Sequence, residues 1–136
     1  MGFGRLRIKY YNMKENNVIQ QKSFSFGVTI IGICKELKDI KKETIISNQL
    51  LRAGTSVGAN VEEGLGSQSK KDFYFRFTIA YKEARESMYW LKLTDESGLS
   101  QKEKVITIIK DCDEILRILG SILKTLRNNT PNPHNS

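Results

Sequence analysis

The residues of this sequence that could carry out chemistry are defined first by the partners they lack. Its one histidine, His134, lies in the run Asn129-Thr130-Pro131-Asn132-Pro133-His134-Asn135-Ser136. A Ser-His-Asp or Cys-His relay needs an imidazole fixed against its nucleophile, and a histidine zinc site needs several, so neither template fits. Cys34 and Cys112 have no Cys-x-x-Cys partner and read as small buried hydrophobes of a reducing compartment. Among the carboxylates, the neighbours Glu62 and Glu63 would diverge on a helix, while Glu83 and Glu86 stand three residues apart and can meet. Asp111, Asp113 and Glu114 decorate a later segment, but a di-iron bundle would need Glu-x-x-His pairs, which this sequence does not contain. Gly54-Thr55-Ser56-Val57-Gly58 has the look of a phosphate loop without its lysine or preceding strand, and close helix packing explains it better. No catalytic residue, metal ligand or cofactor is expected, and the chain reads as a non-enzyme.

A different chemistry, the binding of phosphates and bases, has a better candidate. At about 100° per residue on a helical wheel, Lys71, Lys82, Arg85 and Lys92 share one sector with Tyr74 and Tyr89. That sector lies nearly opposite the stripe Phe73, Phe77, Ala84 and Leu91. Cations interleaved with tyrosines suit phosphate neutralisation and base stacking. The same placement is also what the solvated face of any bundle helix shows. Repetition of the face around a symmetric assembly would favour binding, because several modest patches make a stronger combined field.

These residues must be positioned by helices. Both prolines lie near the C-terminus, and through the rest of the chain apolar residues recur at three- and four-residue steps. A fourth segment has a capping-box sequence, Ser100-Gln101-Lys102-Glu103, ahead of Val105, Ile108, Cys112, Ile115, Leu119, Ile122 and Leu126, and should end near Arg127. A third opens at Ser69-Lys70-Lys71-Asp72 and should stop at Ser97-Gly98, where glycine can take the left-handed conformation. A second, from about Thr44, is interrupted by Gly54 and Gly58 and closes at Gly64-Leu65-Gly66. The first carries two apolar stripes: Phe24, Val28, Ile31, Cys34 and Leu37, and Phe26, Ile30, Ile33, Leu37 and Ile40. Short connections between four such segments predict an all-α, antiparallel up-down-up-down four-helix bundle. The expected boundaries are an N-terminal extension over 1–21, a bundle over 22–127 and a disordered tail over 128–136.

One four-helix core cannot absorb every apolar face. On the third segment Phe75, Ile79, Trp90 and Leu93 form a lateral sector apart from the main stripe. With the second stripe of the first segment, Phe26 to Ile40, as the surplus face there, they predict subunit contacts in a homo-oligomer, since aromatic residues such as Trp90 anchor interfaces.

Composition agrees with a single soluble domain. The 136 residues are 39% hydrophobic and 27% charged, and the longest nearly apolar run, Val28 to Cys34, is far short of a membrane span. No apolar h-region follows the basic N-terminus, so a cytoplasmic location without membrane attachment is expected. The net charge of +7 is spread over the chain, with +3 in residues 1–21 and +3 in residues 70–93. If translation begins at Met13, the loss of Arg5, Arg7 and Lys9 leaves +4. Charge placement is then the stronger indication of a nucleic-acid partner.

The run Gln49-Leu50-Leu51-Arg52-Ala53-Gly54-Thr55-Ser56-Val57-Gly58-Ala59-Asn60-Val61-Glu62-Glu63-Gly64 resembles the signature of the bacterial 23S rRNA-intervening sequence (S23-type) proteins. Ser69-Lys70-Lys71-Asp72-Phe73, Ala80-Tyr81-Lys82-Glu83-Ala84-Arg85-Glu86-Ser87 and Tyr89-Trp90-Leu91 match as well, and the likeness covers about Lys22 to Leu126. The resemblance implies a four-helix bundle assembling into a ring, a homopentamer, with no catalytic residues and a role in binding RNA or DNA. It also implies a distant relation to the accessory protein of diversity-generating retroelements, so a protein partner such as a reverse transcriptase or a ribosome-associated factor is an alternative. Asn60 and Glu63 are motif positions that read as polar helix-packing groups. The first twenty or so residues depart from the pattern, either as a flexible arm or because the start lies at Met13.

Overall fold

A computed structural model describes residues 13–129 of the chain, and their side chains from Asn16 onward. Four helices account for nearly all of it: α1 (Met13–Asp39), α2 (Ile45–Leu65), α3 (Lys70–Glu96) and α4 (Lys102–Asn128). No strand occurs among the described residues. Each helix packs on its sequence neighbours and α1 closes on α4, which makes a square up-down-up-down bundle. The expectations for residues 1–12 and 130–136 lie outside the described residues.

Helix α1 begins at Met13, so nine residues assigned by the sequence reading to an extension are helical. Ile19 is fully buried there, and Asn16 and Ser23 are buried with it. The α1 stripe made of Phe26, Ile30, Ile33 and Leu37 enters the core. Phe24, Val28 and Ile31 of the other stripe are exposed, as is Ile40 at the end of the helix. The structure therefore corrects which α1 face is surplus. The glycines of α2 make that choice. A Cβ on Gly54 would stand 2.8 Å from both γ carbons of Ile30, and one on Gly58 would stand 3.1 Å from the Ser23 carbonyl oxygen. Only a helix without side chains at those two points can let α1 come so close.

Two of the expected caps form and one does not. Ser69 accepts a hydrogen bond from the Asp72 backbone N–H at 3.1 Å and caps α3. At the other end Gly98 takes φ +66°, and the Gly98 and Leu99 N–H groups bond to Asp95 and Thr94 carbonyls, a Schellman closure. At α4, however, the N-cap is Gln101, with no side-chain cap bond, and the Ser100 hydroxyl is buried without a partner. The capping box suggested by Ser100 and Glu103 is absent because the helix starts one residue later than that box requires. Thr44 is likewise an N-cap without a side-chain bond, and Glu43 accepts from the Ile46 N–H at 2.7 Å in its place.

The core runs the length of the bundle, from Leu126 and the rings of Phe73 and Phe77, stacked at 4.1 Å, at one end, past Val57, to Leu50 and Leu91 toward the other. Cys34 and Cys112 belong to it, and the Cys112 thiol donates to the Ala84 carbonyl at 3.3 Å. Burial pushes both thiols from 9.0 up to about 12, and Asp113 and Asp111 add to the effect at Cys112. Both are unreactive packing groups at neutral pH.

Candidate nucleic-acid interface

Helix α3 carries the basic sector, and the α3 residues facing inward fix its orientation. Phe73, Phe77, Ala80, Ala84, Ser87, Leu91 and Thr94 are all buried. With that face anchored, Lys71, Lys82, Arg85 and Lys92 project outward and are exposed. Lys71 and Lys92 are 21 residues apart, which is roughly 31 Å along the helix axis at ~1.5 Å per residue. The two tyrosines are not equivalent. Tyr89 is 57% exposed and meets Trp90 edge to face at 5.0 Å, whereas Tyr74 is half-buried with its ring packed against the core. Tyr89 is thus the available stacking surface, and Tyr74 is largely committed to the fold.

Ion pairing separates this sector from four other basic positions of the bundle. Lys22 pairs with Glu114, Lys104 with Glu36, Lys102 with Asp95 and Arg117 with Asp113. The first of these holds the Glu114 carboxyl below its usual range, through the hydrogen bond and charge of Lys22. None of Lys71, Lys82, Arg85 and Lys92 forms an ion pair among the described residues. Two acidic residues of α3 that would compete for them are held elsewhere. Arg52 of α2 reaches across to Glu83, at 3.2 Å, and to Glu86, which also accepts from the Trp90 indole N–H at 3.0 Å. This clamp offsets one of the two carboxylate charges and draws both toward α2, away from the outward cations of the α3 face.

Lys92 differs from the other three. It lines a shallow groove between α3 and α4 that also contains Lys110 and Arg117 together with Asp111, Asp113 and Glu114. Three carboxylates against three cations leave little net field at that end. Lys71, Lys82 and Arg85 of the sector stand outside that balanced groove. Sequence spacing could not reveal this, because the compensating acids come from another helix.

The lateral residues are also unequal. Phe75 is 57% exposed, with the Arg76 guanidinium over its ring at 5.7 Å. Ile79 and Leu93 are half-buried. Trp90 is half-buried against the core and bonded to Glu86, so its ring is held within the subunit. Of the motif positions, Asn60 donates to the Ser56 carbonyl of its own helix at 2.9 Å, and Glu63 is exposed. Among the described residues there is no grouping of three metal-binding side chains, and no helix is long and apolar enough to cross a membrane.

A four-helix all-α scaffold with unpaired cations on its α3 face is the class that these observations define. The family model of the 23S rRNA-intervening sequence proteins matches residues 15–121, and the chain belongs to that family. The match begins earlier than the resemblance at Lys22 suggested, close to where α1 begins. Among solved structures, the chain is similar to a protein of unknown function from the S23 ribosomal protein family of Bacteroides thetaiotaomicron VPI-5482. The two are 41% identical with a TM-score of 0.78, over 81% of this chain and 98% of the other. Curated proteins provide no match.

Proposed function

We propose that this protein is a non-enzymatic, cytoplasmic homo-oligomer that binds RNA or DNA through the α3 face. Lys71, Lys82 and Arg85 are the principal phosphate contacts, Lys92 a weaker one and Tyr89 the stacking residue. The observation that carries the reading is the contrast in pairing. Lys22, Lys102, Lys104 and Arg117 are held by carboxylates, while the four cations of this sector have no ion pair and Arg52 draws the neighbouring Glu83 and Glu86 toward α2. The family's name associates it with 23S rRNA intervening sequences, which makes RNA the first ligand to try. A homopentameric ring would present five copies of the sector, and the summed field and multivalency would turn weak single contacts into measurable affinity.

Fluorescence anisotropy with a labelled single-stranded RNA and a labelled duplex tests the reading. Binding at low salt is expected, with strong weakening in Lys82→Glu/Arg85→Glu while helicity is kept. No binding at low salt, or affinity unchanged by the double reversal, refutes it. Co-purification from nuclease-treated lysate separates it from a scaffold that docks a protein, because a direct protein partner survives that treatment.

A further inference from the structure

The outward side of α3 carries an aromatic ring that neither the core nor the ion pairs explain. Lys71, Phe75, Thr78, Lys82, Arg85 and Tyr89 follow one another at steps of four and three residues, which sets them in one stripe along the helix. Phe75 therefore stands inside the cationic sector, one turn from Lys71 and two turns from Lys82. It and Tyr89 are each 57% exposed. Thr78, between Phe75 and Lys82, is half-buried, and its hydroxyl donates to the Tyr74 carbonyl at 2.7 Å, so that side chain lies low against its own backbone. From Lys71 to Tyr89 the stripe contains no carboxylate. The Arg76 guanidinium stands over the Phe75 ring at 5.7 Å and adds a further cation beside it.

We infer that this stripe seats a single-stranded stretch of RNA, with Phe75 and Tyr89 as base-stacking platforms on either side of the phosphate contacts Lys82 and Arg85. The inference rests on the proposed function and sharpens its ligand from a nucleic acid of any form to a single strand, with Phe75 as a second stacking residue. The form of the ligand follows from what the rings can meet. In an RNA duplex each base face is covered by its neighbours, and the surface offers phosphates, 2′-hydroxyls and base edges, so an exposed phenyl on this line would be set against polar groups. In a single strand the same ring covers a base face, and sequence matters little because every base has one. Phe75 and Tyr89 are 14 residues apart, roughly 21 Å along the axis at ~1.5 Å per residue. That length is about six nucleotides of a strand stacked at ~3.4 Å each, and fewer of an extended one. Lys82 and Arg85 then fall where the intervening phosphates would run. A line of cations with spaced aromatic platforms is the means by which proteins hold single strands without reading their sequence.

The probe is a labelled RNA of about twelve nucleotides, within the usual size of a single-strand site. Its alternating cytidine and adenosine strand is used alone and annealed to its complement, with affinities read by fluorescence anisotropy at low salt. Wild type should prefer the single strand. Phe75→Leu keeps an apolar side chain at an exposed position and removes the ring. It should weaken single-strand binding about fivefold or more, the low end of a lost base–aromatic stack, and change duplex binding by less than about twofold. Phe75→Tyr should retain the wild-type affinity. Because no phosphate contact is lost, Phe75→Leu should also leave the salt dependence of binding unchanged. Circular dichroism and light scattering should give the variant the helicity and mass of wild type. No binding of either probe overturns the proposed function itself. Where binding is present, equal affinity for strand and duplex, or single-strand affinity unmoved by Phe75→Leu, overturns this inference alone. An equal loss on both probes, or an altered mass, assigns Phe75 to the fold or to a contact between copies and likewise overturns it. A deoxy strand of the same sequence that binds more tightly overturns the choice of RNA.

Discussion

Replacing Gly64 by alanine should destabilise the protein even though alanine is the better helix former. The new Cβ would lie 2.6 Å from both Cδ1 and Cε1 of Phe77, and 3.3 Å from the Arg76 Cβ. Ordinary carbon contacts are about 3.5–4.0 Å, so the ring would have to retreat by about 1 Å. It has little room to do so, being fully buried and stacked on Phe73 at 4.1 Å with an 18° interplanar angle. Overpacking of this kind costs about 1–3 kcal/mol. Helix propensity returns less than the ~1 kcal/mol of a mid-helix site, because Gly64 is the penultimate residue of α2. The net loss is about 1–2 kcal/mol, or a fall in Tm of roughly 4–8 °C for a chain of this size. Gly32→Ala is the internal control, since nothing lies within 4 Å of its Cβ position. It should gain about 1 kcal/mol and raise Tm by about 4 °C. Thermal melts followed by circular dichroism at one fixed protein concentration read both variants. Phe77→Leu combined with Gly64→Ala should be less destabilised than the sum of the two single changes, with a coupling of about 1 kcal/mol. A Gly64→Ala protein that melts at or above wild type, or strictly additive behaviour of the pair, would refute the close-approach argument.

Trp90 is the only tryptophan, so its fluorescence reports on the clamp between α2 and α3. Glu86→Ala should shift its emission to the red as the indole N–H turns to water, and an unchanged spectrum contradicts the bond. Arg52→Met should cost about 1 kcal/mol or less in a denaturant melt, because the pairs are partly solvent-screened; a loss several times larger would mean that the clamp is a buried structural element. The thiols should resist modification by a thiol reagent in the native state at pH 8 and react only as the protein unfolds. Since folding raises both thiol pKa values from 9.0 to about 12, their contribution to stability is complete below pH 9 and declines as pH rises toward 12. Rapid native-state labelling, or stability rising over that interval, would contradict their burial. Ser69→Ala and Gly98→Ala should each cost about 1 kcal/mol, while Ser100→Ala should cost almost nothing because its hydroxyl is unbonded; equal losses from the two serine variants would mean that the α4 cap does form.

Helical periodicity was enough to identify the four-helix bundle, and Gly98 and Ser69 marked the ends of α3 where they fall. The start of α1 was hidden because Met13 to Gln21 is mostly polar, and its helical state depends on burying Ile19 and even Asn16 between neighbours. Which stripe of α1 faces inward could not be read from α1. Both stripes share Leu37, and the choice is made on α2, where Gly54 accommodates Ile30 and Gly58 accommodates Ser23. The basic sector of α3 was visible as a pattern of angles. Its electrostatic grading was not, because Arg52 takes Glu83 and Glu86 from another helix and the acids facing Lys92 belong to α4. Glu86 and Trp90 stand at helical i, i+4 spacing, a local signal that could have shown Trp90 to be engaged within the subunit. Contacts between distant segments set the value of a surface residue, and residue type and period alone do not report them.

The central claim is that placement of unpaired cations, rather than total charge, makes this protein bind nucleic acid. Its most direct test is the slope of log K against log salt concentration for a labelled single-stranded RNA, measured for wild type and two charge-matched double variants. Each phosphate contact contributes about −0.7 to that slope on a single strand. Lys82→Ala/Arg85→Ala should therefore flatten it by about 1.4 per subunit engaged. Lys102→Ala/Lys104→Ala, which removes two cations already held by Asp95 and Glu36, should leave it unchanged. Equal flattening by the two variants would show that binding follows bulk charge, and would contradict the account.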